Sequence, residues 1–70
     1  MSEVRSPMAG LVVKVATAVG AELHVGDTVV IIESMKLEIP VEATTSGRVT
    51  EVMVTEGDFV EEANVLVVVN

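Results

Sequence analysis

A chain of 70 residues with a net charge of −7 has room for one small domain, and half of its residues are hydrophobic. Its few basic residues, Arg5, Lys14, Lys36 and Arg48, are scattered along it, which argues against nucleic acid, whose phosphates need clustered cations. Without cysteine there is neither a disulfide framework nor a thiolate metal site, and no apolar run approaches the roughly 20 residues that cross a bilayer as a helix.

A domain this short buries only about 60% of the surface its unfolded chain exposes, so its core must be very apolar. Valine makes up about a quarter of the sequence, and Phe59 is its one aromatic ring. β-Branched side chains suit a pleated, half-buried surface, so the composition predicts a single all-β domain over residues 1–70. Its acidity keeps such a domain soluble and discourages edge-to-edge pairing. No basic segment precedes an apolar one as in a secretory leader, so the expected location is cytoplasmic and no membrane partner is expected.

In chain order, Val4-Arg5-Ser6 is a short strand that Pro7 confines to an edge or an end. Gly10 opens a strand over Leu11 to Ala18, and Gly20 punctuates it. Leu23 and Val25 flank His24, and Gly26-Asp27 is a turn signal. Thr28 to Glu33 has a continuous apolar centre, as a buried strand would. Leu37 to Ala43 alternates, with Glu38 and Glu42 on one face and Ile39 and Val41 on the other. Thr44 to Gly47 is a loop, Arg48 to Thr55 alternates again, and Glu56-Gly57-Asp58 is a turn. Phe59-Val60 is a short strand, Glu61 to Asn64 a turn, and Val65 to Val69 a last strand.

The second half repeats the first. A shift of about 37 residues places Val4 on Val41, Gly10 on Gly47, Val12 on Val49, Val15 on Val52, Gly20 on Gly57 and Val30 on Val67. It also places Gly26-Asp27 on Ala63-Asn64, where Asn64 is expected to take the left-handed conformation. Two such runs of about four strands predict two small sheets related by a pseudo-twofold axis. Packed face to face, each covers the apolar side that the other cannot bury alone.

The link between the halves is Glu33-Ser34-Met35-Lys36-Leu37-Glu38, read as strand, two-residue turn, strand, with Met35 and Lys36 in the turn. Two-residue hairpin turns need positive φ, usually supplied by Asn-Gly or Gly-X. A side chain with a Cβ there costs about 1–2 kcal/mol. A turn made against its own propensity marks a place where function overrides folding. Met35 and Leu37, long and apolar beside an exposed lysine, waste hydrophobic surface unless something docks on them.

Lys36 is therefore a candidate for presentation to another protein. Catalytic lysines are activated by burial or neighbouring cations, whereas Glu33 and Glu38 flank this one. It reads as an acceptor of a group activated elsewhere. His24 lacks further ligands for a metal and reads as a turn residue. The carboxylates accompany no nucleophile, and the glycines are spaced for turns, not for a phosphate loop. Catalysis within the chain is not expected.

The stretch Glu33-Ser34-Met35-Lys36-Leu37-Glu38-Ile39-Pro40 resembles the biotin attachment motif of biotin-dependent carboxylases, usually Glu-Ala-Met-Lys-Met or Glu-Ser-Met-Lys-Met. The likeness continues through Ser6-Pro7-Met8-Ala9-Gly10, Gly26-Asp27-Thr28-Val29 and Glu56-Gly57-Asp58-Phe59-Val60. Leu37 departs from the usual second methionine, Ala21 from an Asp and Ala63 from a Gly. The resemblance implies a biotinyl/lipoyl attachment domain, a flattened β-barrel or sandwich with the lysine on a tight hairpin. It implies covalent biotin on Lys36, added by a biotin protein ligase, with Glu33, Ser34, Met35, Leu37 and Glu38 recognised as the motif. It also implies a carboxyl carrier working between a biotin carboxylase and a carboxyltransferase, as a non-catalytic subunit. Two rivals stand beside it: a lipoyl or dual biotin/lipoyl carrier, which shares the fold, and an unmodified interaction module whose hairpin docks a partner.

Overall fold

Alternation of buried and exposed side chains gives several of the predicted segments one dry face, while Val29-Val30 and Leu66 to Val69 are buried in unbroken runs. In β2, Gly10–Val15, Gly10 and Val12 are buried while Leu11 and Lys14 are exposed. The computed structural model describes residues 1–70. It adds β1 (Ser2–Arg5), β3 (Glu22–Leu23), β4 (Thr28–Ser34), β5 (Leu37–Glu42), β6 (Gly47–Val52), β7 (Phe59–Val60) and β8 (Val65–Val69). No helix is long and apolar enough to cross a membrane.

The strands form two four-stranded antiparallel sheets, one in the order β1-β8-β6-β3 and the other in the order β5-β4-β2-β7. The repeat relates them: shifting β1, β2, β3 and β4 forward gives β5, β6, β7 and β8, which exchanges the sheets. The two sequence runs are not themselves the two sheets, however. Each sheet takes two strands from each half, so neither half can complete a sheet without the other.

This interleaving explains why β2 ends at Val15 instead of Ala18, and β6 at Val52 instead of Thr55. Ala16 N–H donates to Val29 O and Met53 N–H to Leu66 O, each at 2.8 Å. Beyond those rungs the chain crosses over. Gly20 N–H donates to Val49 O and Gly57 N–H to Val12 O, again at 2.8 Å, each in the opposite sheet.

The core lies between the sheets and follows the same repeat. Val4 and Val41, Val12 and Val49, Leu23 and Val60, Val29 and Leu66, Val30 and Val67, and Ile32 and Val69 are all buried. Gly10 and Gly47 form another equivalent pair. A Cβ on Gly10 would lie 2.6 Å from Glu33 O, and one on Gly47 would lie 2.7 Å from Asn70 O. Only glycine lets the backbones approach so closely.

The turn at Glu61–Asn64 differs from expectation. Ala63, not Asn64, takes the left-handed conformation, with φ 72° where the equivalent Gly26 has φ 96°. Asn64 instead accepts Glu61 N–H through Oδ1 at 2.8 Å, as Asp27 Oδ2 accepts His24 N–H at 2.8 Å. The side-chain cap fixes the turn geometry and leaves residue 63 to absorb the strain.

Candidate functional site

The continuous β-branched run of β4 and the alternation of β5 pair these strands in register, Ile32 facing Ile39, Glu33 facing Glu38 and Ser34 facing Leu37. Two residues are left to close the hairpin, and both are forced left-handed: Met35 has φ 52° and Lys36 φ 67°. Positive φ at both central residues is what a type I′ turn requires. With no glycine or asparagine to relieve it, the turn costs on the order of 1–2 kcal/mol per residue. Pro40, which lacks an N–H, is tolerated because β5 is the edge strand of its sheet.

Lys36 is exposed at this tip, and its ammonium makes neither an ion pair nor a hydrogen bond within the chain, whose ion pairs are Arg5 with Glu3 and His24 with Asp27. Met35 is 92% exposed and Leu37 66% exposed, so neither contributes to the core. Ser34 is half-buried at the closing pair. Glu33 and Glu38 are exposed and directly opposite one another, where like charges destabilise the pairing. The structure thus brings all six residues singled out in the motif to one hairpin.

The other candidates stay apart from chemistry. His24 is exposed and its Nδ1 lies 3.6 Å from Asp27 Oδ2, within a turn. No group of three or more His, Cys, Asp or Glu side chains gathers into a possible metal site. Two shallow hollows, one lined by Ala16, Thr17 and Leu23 and one by Met53, Val54 and Val60, are related by the internal repeat and belong to the fold.

Two exposed apolar residues stand out only once the strands are paired. Leu11 faces Phe59 across β2 and β7, and Leu11 also faces Glu33 across β2 and β4. Phe59 is 68% exposed and Leu11 38% exposed. The signal was present in the repeat, which sets Leu11 against Arg48 and Phe59 against Glu22. An apolar pair in one sheet stands where the other sheet carries opposite charges.

Comparison with known proteins gives a consistent result. A family model described as "Biotin-requiring enzyme" matches residues 2–69. The chain is 51% identical over 59 residues to the biotin/lipoyl attachment protein of Bacillus subtilis, covering 84% of this chain and 81% of that protein. It is 35% identical over 68 residues to the biotinylated protein TB7.3 homolog of Mycobacterium leprae, covering 97% and 96% respectively. The crystal structure of the Kluyveromyces lactis urea carboxylase superposes with a TM-score of 0.91 at 38% identity, over 99% of this chain and 6% of that one. The chain therefore spans most of the small relatives and a small fraction of that carboxylase.

Proposed function

This chain belongs to the biotin/lipoyl attachment family, and from that premise we propose that it is a biotin carboxyl carrier whose attachment point is Lys36. One observation carries the assignment: the chain bears two long side chains through a left-handed two-residue turn, Met35 at φ 52° and Lys36 at φ 67°, where Asn-Gly would fold at lower cost. Lys36 fits an amide-linked group, being exposed, unpaired and beyond the core.

Loading forms an amide between Lys36 Nζ and the carboxyl carbon of an adenylated biotin, with AMP leaving and the amine's protons passing to solvent. The activation belongs to a biotin protein ligase, because nothing in the hairpin activates an amine. When bound, biotin supplies a ureido nitrogen that accepts and gives up a carboxyl group. The protein's own part is positional. The β4–β5 hairpin holds Lys36 clear of the sheet, so a tethered group meets each partner at high effective concentration. Met35 and Leu37 offer apolar contact to the ligase and to biotin carboxylase and carboxyltransferase partners, without a role in the fold. Amide formation also removes one positive charge from a chain of net −7.

The name of the Bacillus relative, a biotin/lipoyl attachment protein, supports lipoate on the same lysine as the second reading. Intact mass of the protein isolated from its native host separates the readings: a biotinyl increment is expected, a lipoyl increment supports the second, and an unmodified chain overturns both. Lys36→Arg is expected to keep the fold and abolish incorporation, and label appearing on Lys14 instead would contradict the assignment.

A further inference from the structure

The outer face of the β5-β4-β2-β7 sheet carries one row of directly opposed residues: Glu38, Glu33, Leu11 and Phe59. Directly opposed residues on neighbouring strands project to the same face. Their chain neighbours Val12, Ile32 and Val60 are buried, so this face is the one turned away from the core. The row spans three strand spacings, about 14 Å at roughly 4.8 Å each, and its acidic end lies immediately behind the Met35-Lys36 turn.

The pseudo-twofold gives an internal control for what the fold requires here. In the other sheet, the positions equivalent to Leu11 and Phe59 are Arg48 and Glu22, which face one another across β6 and β3. The architecture therefore accepts an opposite-charge pair at this site. Leu11 and Phe59 leave exposed apolar surface that the fold does not demand, and Glu33 opposite Glu38 adds a like-charge pair that works against the strand pairing. Both costs lie in one row on the sheet that presents Lys36, and a partner that covered the ring and supplied cations would offset both.

We propose that the row Phe59–Leu11–Glu33–Glu38 is the docking surface for the ligase that loads Lys36, through a ligase surface that sets an apolar socket beside basic side chains. The proposal rests on the biotin-carrier reading above. A second copy of this chain is a poor occupant, because the row it would bring holds Glu33, Glu38 and two apolar side chains and no cation to meet the carboxylates. Reach selects the ligase among the carrier's partners. An enzyme acting on the bare lysine amine must close on the hairpin to within one lysine side chain's length, next to the acidic end of the row, whereas enzymes that use the loaded group work at the far end of its tether.

The test transplants the pair that the other sheet already carries. Carrier with Lys36→Arg, which cannot be loaded, is titrated calorimetrically against the host's biotin ligase, with and without Leu11→Arg plus Phe59→Glu. The double substitution is expected to weaken binding at least about tenfold, the effect of losing a buried aromatic anchor, with an unchanged melting temperature. With Lys36 present, KM for carrier rises by the same factor and kcat is unchanged. Equal dissociation constants and equal KM overturn the proposal. Should the double variant melt early, Phe59→Ser alone is read by the same two measurements and decides it. Wild-type carrier that takes up no biotin by intact mass overturns the functional reading, and the ligase as occupant with it; wild-type uptake with unaltered variant kinetics overturns the docking surface alone.

Discussion

Two strand pairs in this molecule are built alike and end differently. In one sheet β4 pairs with β5, Val30 facing Val41; in the other β8 pairs with β1, Val67 facing Val4 at the equivalent positions. Each pair lies against a glycine that admits its backbone, Gly10 beside Glu33 and Gly47 beside Asn70. The first pair is closed by Met35 and Lys36 in a strained turn. No turn joins the second, since β1 precedes β8 in the chain, and Asn70 and Met1 stand there at the places equivalent to Glu33 and Glu38. The same sheet edge thus forms with and without a connecting turn, so the pairing is held by burial of Val4, Val30, Val41 and Val67 and not by the hairpin. Met35 and Lys36 are free to be chosen for what they present.

The largest effect should come from giving the hairpin the residues that its backbone prefers. Replacing Met35-Lys36 by Asn-Gly should abolish biotin incorporation completely while raising unfolding free energy by about 1–2 kcal/mol, read by intact mass and by urea denaturation of the same preparation. A loss of stability would mean that Met35 supports the fold. Next in size, Gly10→Ala should cost about 1–3 kcal/mol by overpacking against Ile32 and the Glu33 backbone. It would break the glycine contact behind the hairpin, and biotin uptake per folded molecule should fall as β4 shifts. The smallest effects concern the turns. Ala63→Gly should stabilise by about 0.5–1 kcal/mol, relief of left-handed strain less the entropy that glycine loses on folding. Ala21→Asp should add a similar increment of roughly 0.5–1.5 kcal/mol, because the equivalent Asp58 Oδ2 accepts Thr55 N–H at 2.9 Å and Ala21 has no acceptor to offer Ala18. Thermal melts of both variants check these last two, and neither should alter biotin uptake.

Much of this was legible because burial leaves a local trace. Alternation in β5 and β6 and the apolar centre of β4 mark strands whatever they pair with. The repeat that aligns Val12 with Val49 and Val30 with Val67 picks out core positions on both sides at once. The hairpin was legible for the opposite reason: Met35 and Lys36 contradict the turn they occupy, and a contradiction between residue and backbone is itself a signal. Leu11 and Phe59 are inconspicuous in the sequence because each, taken singly, is an ordinary apolar residue in a strand. Their exposure arises from which residues lie across from them, a property of pairing between segments far apart in the chain.

The sequence by itself determined the all-β character, the repeat, the apolar faces of its strands and the turn that presents Lys36, because each depends on side-chain periodicity or on the intrinsic preference of a residue for its own φ. Tertiary structure alone decided how the halves combine. Beyond the β4–β5 hairpin, nothing local says that β2 and β7 complete that sheet while β1 and β3 join β6 and β8 in the other. That partition comes from crossovers such as Gly20 to Val49 and Gly57 to Val12. It also left Ala63 to bend left-handed once Asn64 had turned its side chain to Glu61, and it aligned Phe59, Leu11, Glu33 and Glu38 into one face. Long-range registers are set by the joint burial of both sheets, and no single segment carries that information.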